Sequence, residues 1–526
     1  MFQNPIRERM CRLLRAVKSI FSFMFGRLFL VGIILAGQVS LLIFFILLAG
    51  QGTFYAYLFF HFVSFFVVMF ILSNADSPSY KITWIITIML LPMIGGFFYL
   101  LFGNKRLPKR AVGYTDRAIS QTRENMPLPD DLQAELRRDS PELAIQSRYI
   151  YNVSGYPIWE DCFSEYYTLG EDMFASMLAE LAQAERYIFL EYFIIKPGNM
   201  WERLFGVLKE KADQGIEVRF MYDDLGSINK LPRGFDKTIR AAGIKLCVFN
   251  PFRPHLHPVM NHRDHRKLCL IDGTAAFSGG MNIADEYINH YERLGHWKDT
   301  GVLIKGSAVW AFAFMFLQLW EFASGEKSDY ESYRPVKHPC LPSPAGYVQL
   351  FGDSPLDRVN VTQTAYHNIL SRAREYVYIT TPYLIIDHET YSTLCAAAQS
   401  GVDVRIITPY KYDRWYTHIL TQGHYSQLIR AGVRIYEYTP GFMHSKTYVS
   451  DDSVCMVGTS NMDFRSFYLH FECSAVFYKS PTVIRVRDDF LACLDACHEI
   501  TLEESLKVPV FRKVLRGFVR LFAPLL

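Results

Sequence analysis

Apolar residues are concentrated near the N-terminus of this chain, and a mixed apolar and polar pattern follows. Three apolar segments lie at about 28–50, 54–73 and 81–103, and each approaches the roughly 20 residues that a helix needs to cross a bilayer. We predict a transmembrane region over 28–104, with two or three spans. Basic residues flank this region on both sides, so the positive-inside rule leaves its topology open.

The residues on either side of the apolar region differ in character. Those at 1–27 alternate basic and apolar side chains, which is typical of an amphipathic helix that lies in a membrane interface. Those at 105–150 are polar and contain prolines. We predict a linker there, with some helix around 130–147.

From about residue 150, apolar runs of strand length alternate with helical patterns. The run at 187–195 opens one such series, and the run at 376–384 opens a second series with the same order. This alternation predicts a mostly parallel sheet covered by helices, and its recurrence indicates a duplication. We predict an α/β fold with one repeat at 151–340 and a second repeat at 341–500.

The last segment, 501–526, is predicted to form an amphipathic helix. Apolar residues fall on one helical face and arginines on another: Phe511, Leu515, Phe518 and Phe522 against Arg512, Arg516 and Arg520. We expect this helix to lie on a membrane surface. The alternative is that its apolar face docks onto the α/β repeats.

Each predicted repeat contains the same polar motif, His-x-Lys-x4-Asp, which is followed at the same offset by Gly-x-x-Asn. One copy alone carries a risk of chance occurrence, but two copies with the same downstream asparagine are not accidental. The motif residues and asparagines are His265, Lys267, Asp272 and Asn282 in the first repeat, and His444, Lys446, Asp451 and Asn461 in the second.

The duplicated motif predicts chemistry on a phosphate diester. Side chains two residues apart on a strand point the same way, so each histidine shares a face with its lysine. If the two repeats pair about a pseudo-two-fold axis, two imidazoles, two ammonium groups and two amides face one cleft. Such donors and cations suit the oxygens of a phosphate diester. One histidine attacks phosphorus while the other protonates the leaving oxygen.

Composition excludes only a few classes of function. The formal net charge of +3 is close to neutral, and we predict no nucleic-acid partner because no basic stripe interleaved with aromatic residues is evident. The ten cysteines include no Cys-x-x-Cys and are expected to be reduced. The histidines at 255, 257, 262 and 265 are too irregularly spaced for a zinc site. We therefore predict no metal and no cofactor.

The motif and its surroundings resemble the phospholipase D superfamily and, within it, the bacterial cardiolipin synthases. The segments that carry the resemblance lie at 222–227, 261–267, 278–283, 442–446 and 458–467, with Trp84, Pro92, Gly95 and Tyr99 in the apolar region. The resemblance implies two phospholipase D-like α/β repeats packed about a pseudo-two-fold axis and preceded by N-terminal transmembrane helices. It also implies a multi-pass protein of the bacterial cell membrane.

The resemblance implies an activity as well. One phosphatidylglycerol would transfer its phosphatidyl group to another through a phosphohistidine intermediate, which gives cardiolipin and glycerol. By this likeness His265 is the nucleophile and His444 is the general acid and then the base, although the near-symmetric halves leave these roles exchangeable. The groups that hold the phosphate are Lys267, Lys446, Asn282 and Asn461.

Supporting residues follow from the same resemblance. Asp299 and Glu472 match the acids that orient the histidines through the other ring nitrogen. Asp272 and Asp451 belong to the catalytic motif, but we expect them to be structural. Many relatives carry a hydroxyl after the motif's glycine; Gly280 lacks it, and we expect a backbone N–H to serve there. The implied partners are phosphatidylglycerol and anionic membrane lipid, and the oligomeric state is left open.

Two other functions remain as alternatives. A hydrolase or another transphosphatidylase of the same superfamily would use water or a different alcohol as the acceptor. A non-enzymatic membrane scaffold would carry a degenerate motif, but both histidines and both lysines are present in this chain.

Overall fold

The computed structural model describes residues 40, 50–74, 77–91, 95–99, 103, 109–251, 261–335, 346–357 and 359–523. The chain divides into two compact units, Met1–Asn104 and Lys105–Leu526. The helix predicted over 1–27 lies outside the described residues, as do His255, His257 and almost all of the first apolar segment.

The first unit contains three described helices: α1 (Gly50–Ser73), α2 (Pro78–Leu90) and α3 (Gly95–Phe98). Trp84 of α2 packs edge-on against Tyr99, with ring centroids 5.3 Å apart. Large aromatic side chains of α1, including Phe59 and Phe62, are exposed. In the part of the chain that the structure describes, no helix combines the length and the hydropathy needed to cross a membrane.

The segment 105–150 is not the linker that its polar composition predicts. It forms α4 (Lys109–Asn125), α5 (Asp130–Asp139) and most of α6 (Pro141–Ser154). Leu136, Leu143 and Ile150 are buried in the core of the second unit. The prediction missed this packing because the few apolar residues that anchor these helices stand among many exposed polar ones.

The first repeat builds a seven-stranded sheet in the order β2-β10-β8-β7-β3-β4-β5. After β1 (Ile158–Trp159), which joins the other sheet, its elements in chain order are β2 (Cys162–Tyr167), α7 (Gly170–Ala182), β3 (Tyr187–Tyr192), α8 (Asn199–Asp213), β4 (Glu217–Asp223), α9 (Asp224–Ser227), α10 (Phe235–Ala241), β5 (Lys245–Phe249), β6 (Arg263–Asp264), β7 (Lys267–Ile271), β8 (Ala275–Gly279), a 3-10 turn (Asp285–Ile288), β9 (His296–Lys298), β10 (Gly301–Gly306) and α11 (Val309–Ser324).

The second repeat follows a second 3-10 turn (Tyr330–Tyr333). Its elements are β11 (Tyr347–Asp353), α12 (Val361–Arg372), β12 (Tyr376–Thr380), β13 (Leu384–Ile385), α13 (His388–Gln399), β14 (Asp403–Pro409), α14 (Trp415–Arg430), β15 (Arg434–Tyr438), β16 (Gly441–Met443), β17 (Thr447–Ser450), β18 (Val454–Gly458), β19 (Met462–Asp463), α15 (Phe464–Tyr468), β20 (His470–Tyr478), α16 (Pro481–Leu494), β21 (Cys497–Glu499), α17 (Leu502–Leu506) and α18 (Val510–Phe522).

The two sheets have the same internal order, which shows the duplication in three dimensions. Between its edge strands β1 and β21, the second sheet runs β11-β20-β18-β17-β12-β14-β15, which matches the first sheet strand for strand. Along these two seven-strand orders, the parallel neighbours are β3-β4-β5 and β12-β14-β15, and the other neighbours are antiparallel. The prediction of a mostly parallel sheet was therefore wrong, because tight turns rather than helices join the motif strands β7 and β8.

Two short strand pairs and one helix join the repeats. The strand β6 pairs with the start of β20, and β9 pairs with β16, each in parallel. The helix α11 is buried from Val309 to Trp320, and its Phe316 stacks on Phe189 of β3 with ring centroids 4.7 Å apart. The two repeats therefore share a core and a seam.

The C-terminal helix α18 docks through one narrow stripe. Val519 and Ala523 pack with Leu420 of α14 and Phe464 of α15. In contrast, 78% of Phe511 and 62% of Phe518 are exposed, and so are large parts of Val510 and Val514. Leu515 of the predicted apolar face also packs against this cluster, so docking uses part of that face while Phe511 and Phe518 stay open to solvent.

Candidate active site

Both motif histidines lie on the seam between the repeats. His265 follows β6, and its backbone N–H donates to the carbonyl of Phe471, 2.9 Å away. His444 follows β16, and its backbone N–H donates to the carbonyl of Lys298 at 2.8 Å. Each histidine is therefore positioned by backbone pairing with the opposite repeat.

The two predicted orienting acids are exchanged between the repeats. The Nδ1 atom of His265 lies 2.9 Å from a carboxylate oxygen of Glu472 in the second repeat. The Nδ1 atom of His444 lies 2.6 Å from Asp299 in the first repeat. Because a carboxylate only accepts, these contacts favour a proton on Nδ1, which leaves Nε2 of each ring as the other reactive nitrogen.

The two imidazoles line one cavity of about 310 Å³. Phe193, Tyr287 and Trp297 of the first repeat and Tyr383 and Phe442 of the second contribute aromatic walls. The cavity is therefore large enough for a headgroup, and it combines apolar walls with a few convergent polar groups, as ligand sites usually do.

Both histidines are held in their neutral form. Burial lowers the pKa of His265 to about 3, against the opposing attraction of Glu472. Burial and the neighbouring Lys446 ammonium lower the pKa of His444 to about 4, although Asp299 opposes this shift. At neutral pH, each imidazole therefore has a lone pair available for attack or for accepting a proton.

The motif lysines lie behind the histidines and do not line the cavity. The Lys267 ammonium donates to the backbone carbonyl of His265 at 2.5 Å, and Lys446 does the same to the carbonyl of His444. Burial lowers the pKa of Lys267 to about 8 and that of Lys446 to about 7. A phosphate anion in the cavity would favour the charged form of both.

The predicted asparagines do line the cavity. The Asn282 amide donates to the Tyr287 hydroxyl at 2.9 Å and accepts from the backbone N–H of Ile194. The Asn461 amide donates to Asp463 at 3.3 Å, and its buried oxygen has no hydrogen-bond partner among the described residues. The Asn461 amide therefore makes fewer hydrogen bonds to the described residues than the Asn282 amide does.

The motif aspartates are at the far ends of the motif strands. Asp272 accepts hydrogen bonds from the backbone N–H groups of Glu185, Arg186 and Tyr187, at 2.8 to 2.9 Å. Asp451 holds the equivalent loop at Arg374, Glu375 and Tyr376. Asp272 comes five positions after Lys267, which is about 16 Å along an extended strand. These contacts fit the structural role that we expect for both aspartates.

The two halves of the site differ beside the acids. In the second repeat, the Thr459 hydroxyl donates to Glu472 at 2.5 Å. In the first repeat, the N–H of Gly280 donates to the carbonyl of Thr300, so it does not serve Asp299. The N–H of Thr300 donates to Asp299 at 2.9 Å instead. The N–H of Thr300 is therefore the donor to Asp299 that corresponds to the Thr459 hydroxyl at Glu472.

Two contributors to the site carry no repeated sequence signal. The ring of His470 lies 5.2 Å from that of His265, and its Nδ1 is 3.6 Å from Glu472. Tyr287 lies beside His444, with ring centroids 5.3 Å apart. Only the position of His470, two residues before Glu472, hints at its placement, because alternate residues of a strand share a face.

One group of potential metal ligands is present among the described residues. Ligand atoms of His265, His470 and Glu472 lie within 4.8 Å of one another. Three ligands are short of the four of a structural zinc site, and Glu472 already binds the Nδ1 of His265. The set therefore shares His265 and Glu472 with the histidine–carboxylate pair described above.

Comparison with solved structures defines the class of fold. The crystal structure of a phosphatidylserine synthase from Haemophilus influenzae aligns with 73% of this chain and 100% of its own, with a TM-score of 0.55 and 11% identity. At that identity the likeness concerns the fold alone. The phospholipase D-like model described as "Cardiolipin synthase, PLD-like domain" matches residues 177–308 and 366–494, one match in each repeat.

Sequence comparison then identifies the family within this class of fold. A cardiolipin synthase from Geobacillus kaustophilus is 33% identical over 467 residues, covering 88% of this chain and 92% of that protein. One from Alkalihalophilus pseudofirmus is 32% identical with the same coverage. An uncharacterised protein from Streptococcus mutans is 37% identical over 87% of this chain. The chain belongs to the cardiolipin synthase family of the phospholipase D superfamily, as predicted.

A separate model covers part of the N-terminal region. The model described as "Phospholipase_D-nuclease N-terminal" matches residues 62–104. This match includes the third predicted apolar segment and part of the second.

Proposed function

We propose that this protein is an enzyme that joins two phosphatidylglycerol molecules into cardiolipin and releases glycerol. One observation carries the proposal: two neutral imidazoles from separate repeats line a single cavity, and each is held by a carboxylate of the other repeat. Membership of the cardiolipin synthase family supports the choice of substrate.

In the first step, Nε2 of His265 attacks the phosphorus of one phosphatidylglycerol. A nitrogen–phosphorus bond forms, the bond from phosphorus to the glycerol oxygen breaks, and His444 gives that oxygen a proton. Because burial keeps His444 neutral in the free protein, the incoming phosphate must raise its pKa. Asp299 stabilises the resulting imidazolium.

In the second step, a glycerol hydroxyl of the other phosphatidylglycerol attacks the phosphohistidine. His444 takes the hydroxyl proton, the nitrogen–phosphorus bond breaks and cardiolipin leaves. Lys267, Lys446, Asn282 and Asn461 stabilise the phosphate charge through both steps. Asp272 and Asp451 act indirectly, by tying the ends of the motif strands to the loops that lead into β3 and β12.

The protein is further proposed to be a multi-pass protein of the bacterial cell membrane. The apolar segments at 28–50, 54–73 and 81–103 support this, as does the match at 62–104. The exposed apolar stripe of α18, which we define as Val510, Phe511, Val514 and Phe518, stands beside arginines that attract anionic lipid. Ala523, just after this helix, lines the cavity.

A product assay tests the activity. Purified protein in detergent receives phosphatidylglycerol of defined chains and a chelator, and cardiolipin and glycerol are measured. We expect both in equal amounts, and we expect His265→Ala to reduce them by about 10³-fold or more while the fold is kept. Folded protein that yields neither product would sink the proposal. Phosphatidic acid as the main product would favour a hydrolase instead.

A further inference from the structure

Four cationic side chains outside the two motifs line the same cavity as the histidines. Lys230 and Arg293 come from the first repeat, and Arg414 and Arg465 come from the second. They converge from four separate segments, so no single helix or loop accounts for the cluster.

The carboxylates of Glu286, Asp413 and Asp463 lie beside this cluster and balance its charge only in part. Glu286 faces both Lys196, at 3.3 Å, and Arg293, at 3.6 Å. The Arg414 Nε is 3.8 Å from Asp413, whose carboxylate already accepts from the Tyr383 hydroxyl at 2.7 Å.

The positive charge of Lys230 is not balanced by a direct ion pair among the described residues. Its ammonium donates to the backbone carbonyl of Gly226 at 2.6 Å, and within the described parts of the chain it forms no ion pair with a carboxylate. Partial desolvation and the charges of Arg293, Arg414 and Lys196 lower its pKa to about 8, although the attraction of Glu286 opposes this shift. An anion among these groups would relieve the repulsion.

Arg465 supplies an independent observation. Its Nε is buried and has no hydrogen-bond partner among the described residues, although the side chain lines the cavity. A buried donor without a partner destabilises the folded state, so such groups are usually satisfied by a ligand or by solvent. An acceptor that enters the cavity would meet this need.

We propose that Lys230, Arg293, Arg414 and Arg465 form a second anion subsite, which binds the phosphate diester of the acceptor phospholipid. This inference rests on the proposed function. Cardiolipin has two phosphates joined by one glycerol, so the acceptor's phosphate must lie close to the phosphate under attack. The acceptor hydroxyl then attacks the phosphorus on His265, its proton passes to His444, and the nitrogen–phosphorus bond breaks.

The subsite explains how a charged lipid competes with water for the intermediate. Water and small alcohols carry no charge and gain nothing from four cations, whereas an anionic acceptor gains charge-assisted hydrogen bonds. The subsite therefore sets the choice of acceptor, and its loss should change which product forms.

The test measures product partition. Full-length wild type, Arg414→Gln and Lys230→Gln receive phosphatidylglycerol together with ethanol, and cardiolipin and phosphatidylethanol are measured. We expect the cardiolipin-to-phosphatidylethanol ratio to fall roughly tenfold in each variant, which is the loss of one charge-assisted hydrogen bond. Arg414→Lys, which keeps the charge, should recover part of the ratio. The exposed Arg434 pairs with Glu499 away from the cavity, so Arg434→Gln is the matched control.

The outcomes separate this inference from the proposed function. A wild type that makes no cardiolipin refutes the function itself. A wild type that makes cardiolipin, with both products falling in parallel in the variants, overturns the subsite alone. If the subsite serves free phosphate instead, inorganic phosphate will inhibit both products of the wild type equally, and the variants will keep the wild-type ratio. Both variant sites are exposed, and thermal unfolding checks that each variant folds.

Discussion

At the scale of single residues, the chemistry of the site depends on the protonation states of the motif histidines and lysines. The histidines are neutral because they are buried, and the lysines are close to losing their protons for the same reason. The sequence predicted the identities of these residues from the repeated motif. It did not predict their charge states, because burial by residues distant in sequence sets them.

The lowered pKa values of the two motif lysines predict that substrate binding depends on pH. Burial lowers the pKa of Lys446 to about 7 and of Lys267 to about 8, so the free protein loses these positive charges as the pH rises through that range. We expect the KM for phosphatidylglycerol to rise roughly tenfold between about pH 6.5 and pH 9. The kcat should change less, because bound phosphate keeps the lysines protonated. A KM that stays flat over this range would refute the assignment.

A side chain at position 280 should lower the catalytic rate. A Cβ at this position would lie 2.0 Å from the Asp299 carboxylate, so Gly280→Ser must displace the acid that holds His444. Because small misplacements at an active site are costly, we expect kcat to fall by about 10²-fold. Gly206→Ser is the control, since a Cβ there meets nothing within 4 Å. Wild-type kcat in the Gly280 variant would show that the Asp299 contact is dispensable.

At the scale of elements, the sequence predicted the strands and their duplication well. The apolar runs at 187–195 and 376–384 contain β3 and β12, and the two sheets share one order. The exchange of Glu472 and Asp299 between the repeats was not predictable. It depends on β6 and β9, which are only two and three residues long and carry no periodic pattern.

The helix α18 predicts contact with a bilayer. Its apolar stripe is exposed to solvent, whereas Val519 and Ala523 pack against α14 and α15. An environment-sensitive dye on Phe511→Cys should report an apolar surrounding when the protein is reconstituted in anionic bilayers. The same dye on Lys479→Cys, at an exposed strand end, should report water. Identical spectra at the two positions would contradict a membrane contact for α18.

At the scale of the whole molecule, the two repeats make one site that neither contains alone. Each repeat supplies a histidine to the cavity and an acid to the other repeat's histidine. The motif at 265–272 is therefore half of a site, and the match of a family model in each repeat fits this division. The apolar N-terminal segments and the docked α18 fit the handling of lipids.

The most direct test of this account is to trap the covalent intermediate. His444→Asn removes the general acid of the first step and the general base of the second. The phosphatidyl group should therefore reach His265 slowly, over a long incubation, and then remain there because the second lipid is no longer activated. We expect mass spectrometry of this variant after incubation with phosphatidylglycerol to show a phosphatidyl adduct on the peptide that contains His265. The double variant His265→Asn/His444→Asn should show none. An adduct on any other residue, or cardiolipin formed at the wild-type rate by His444→Asn, would contradict the two-histidine mechanism.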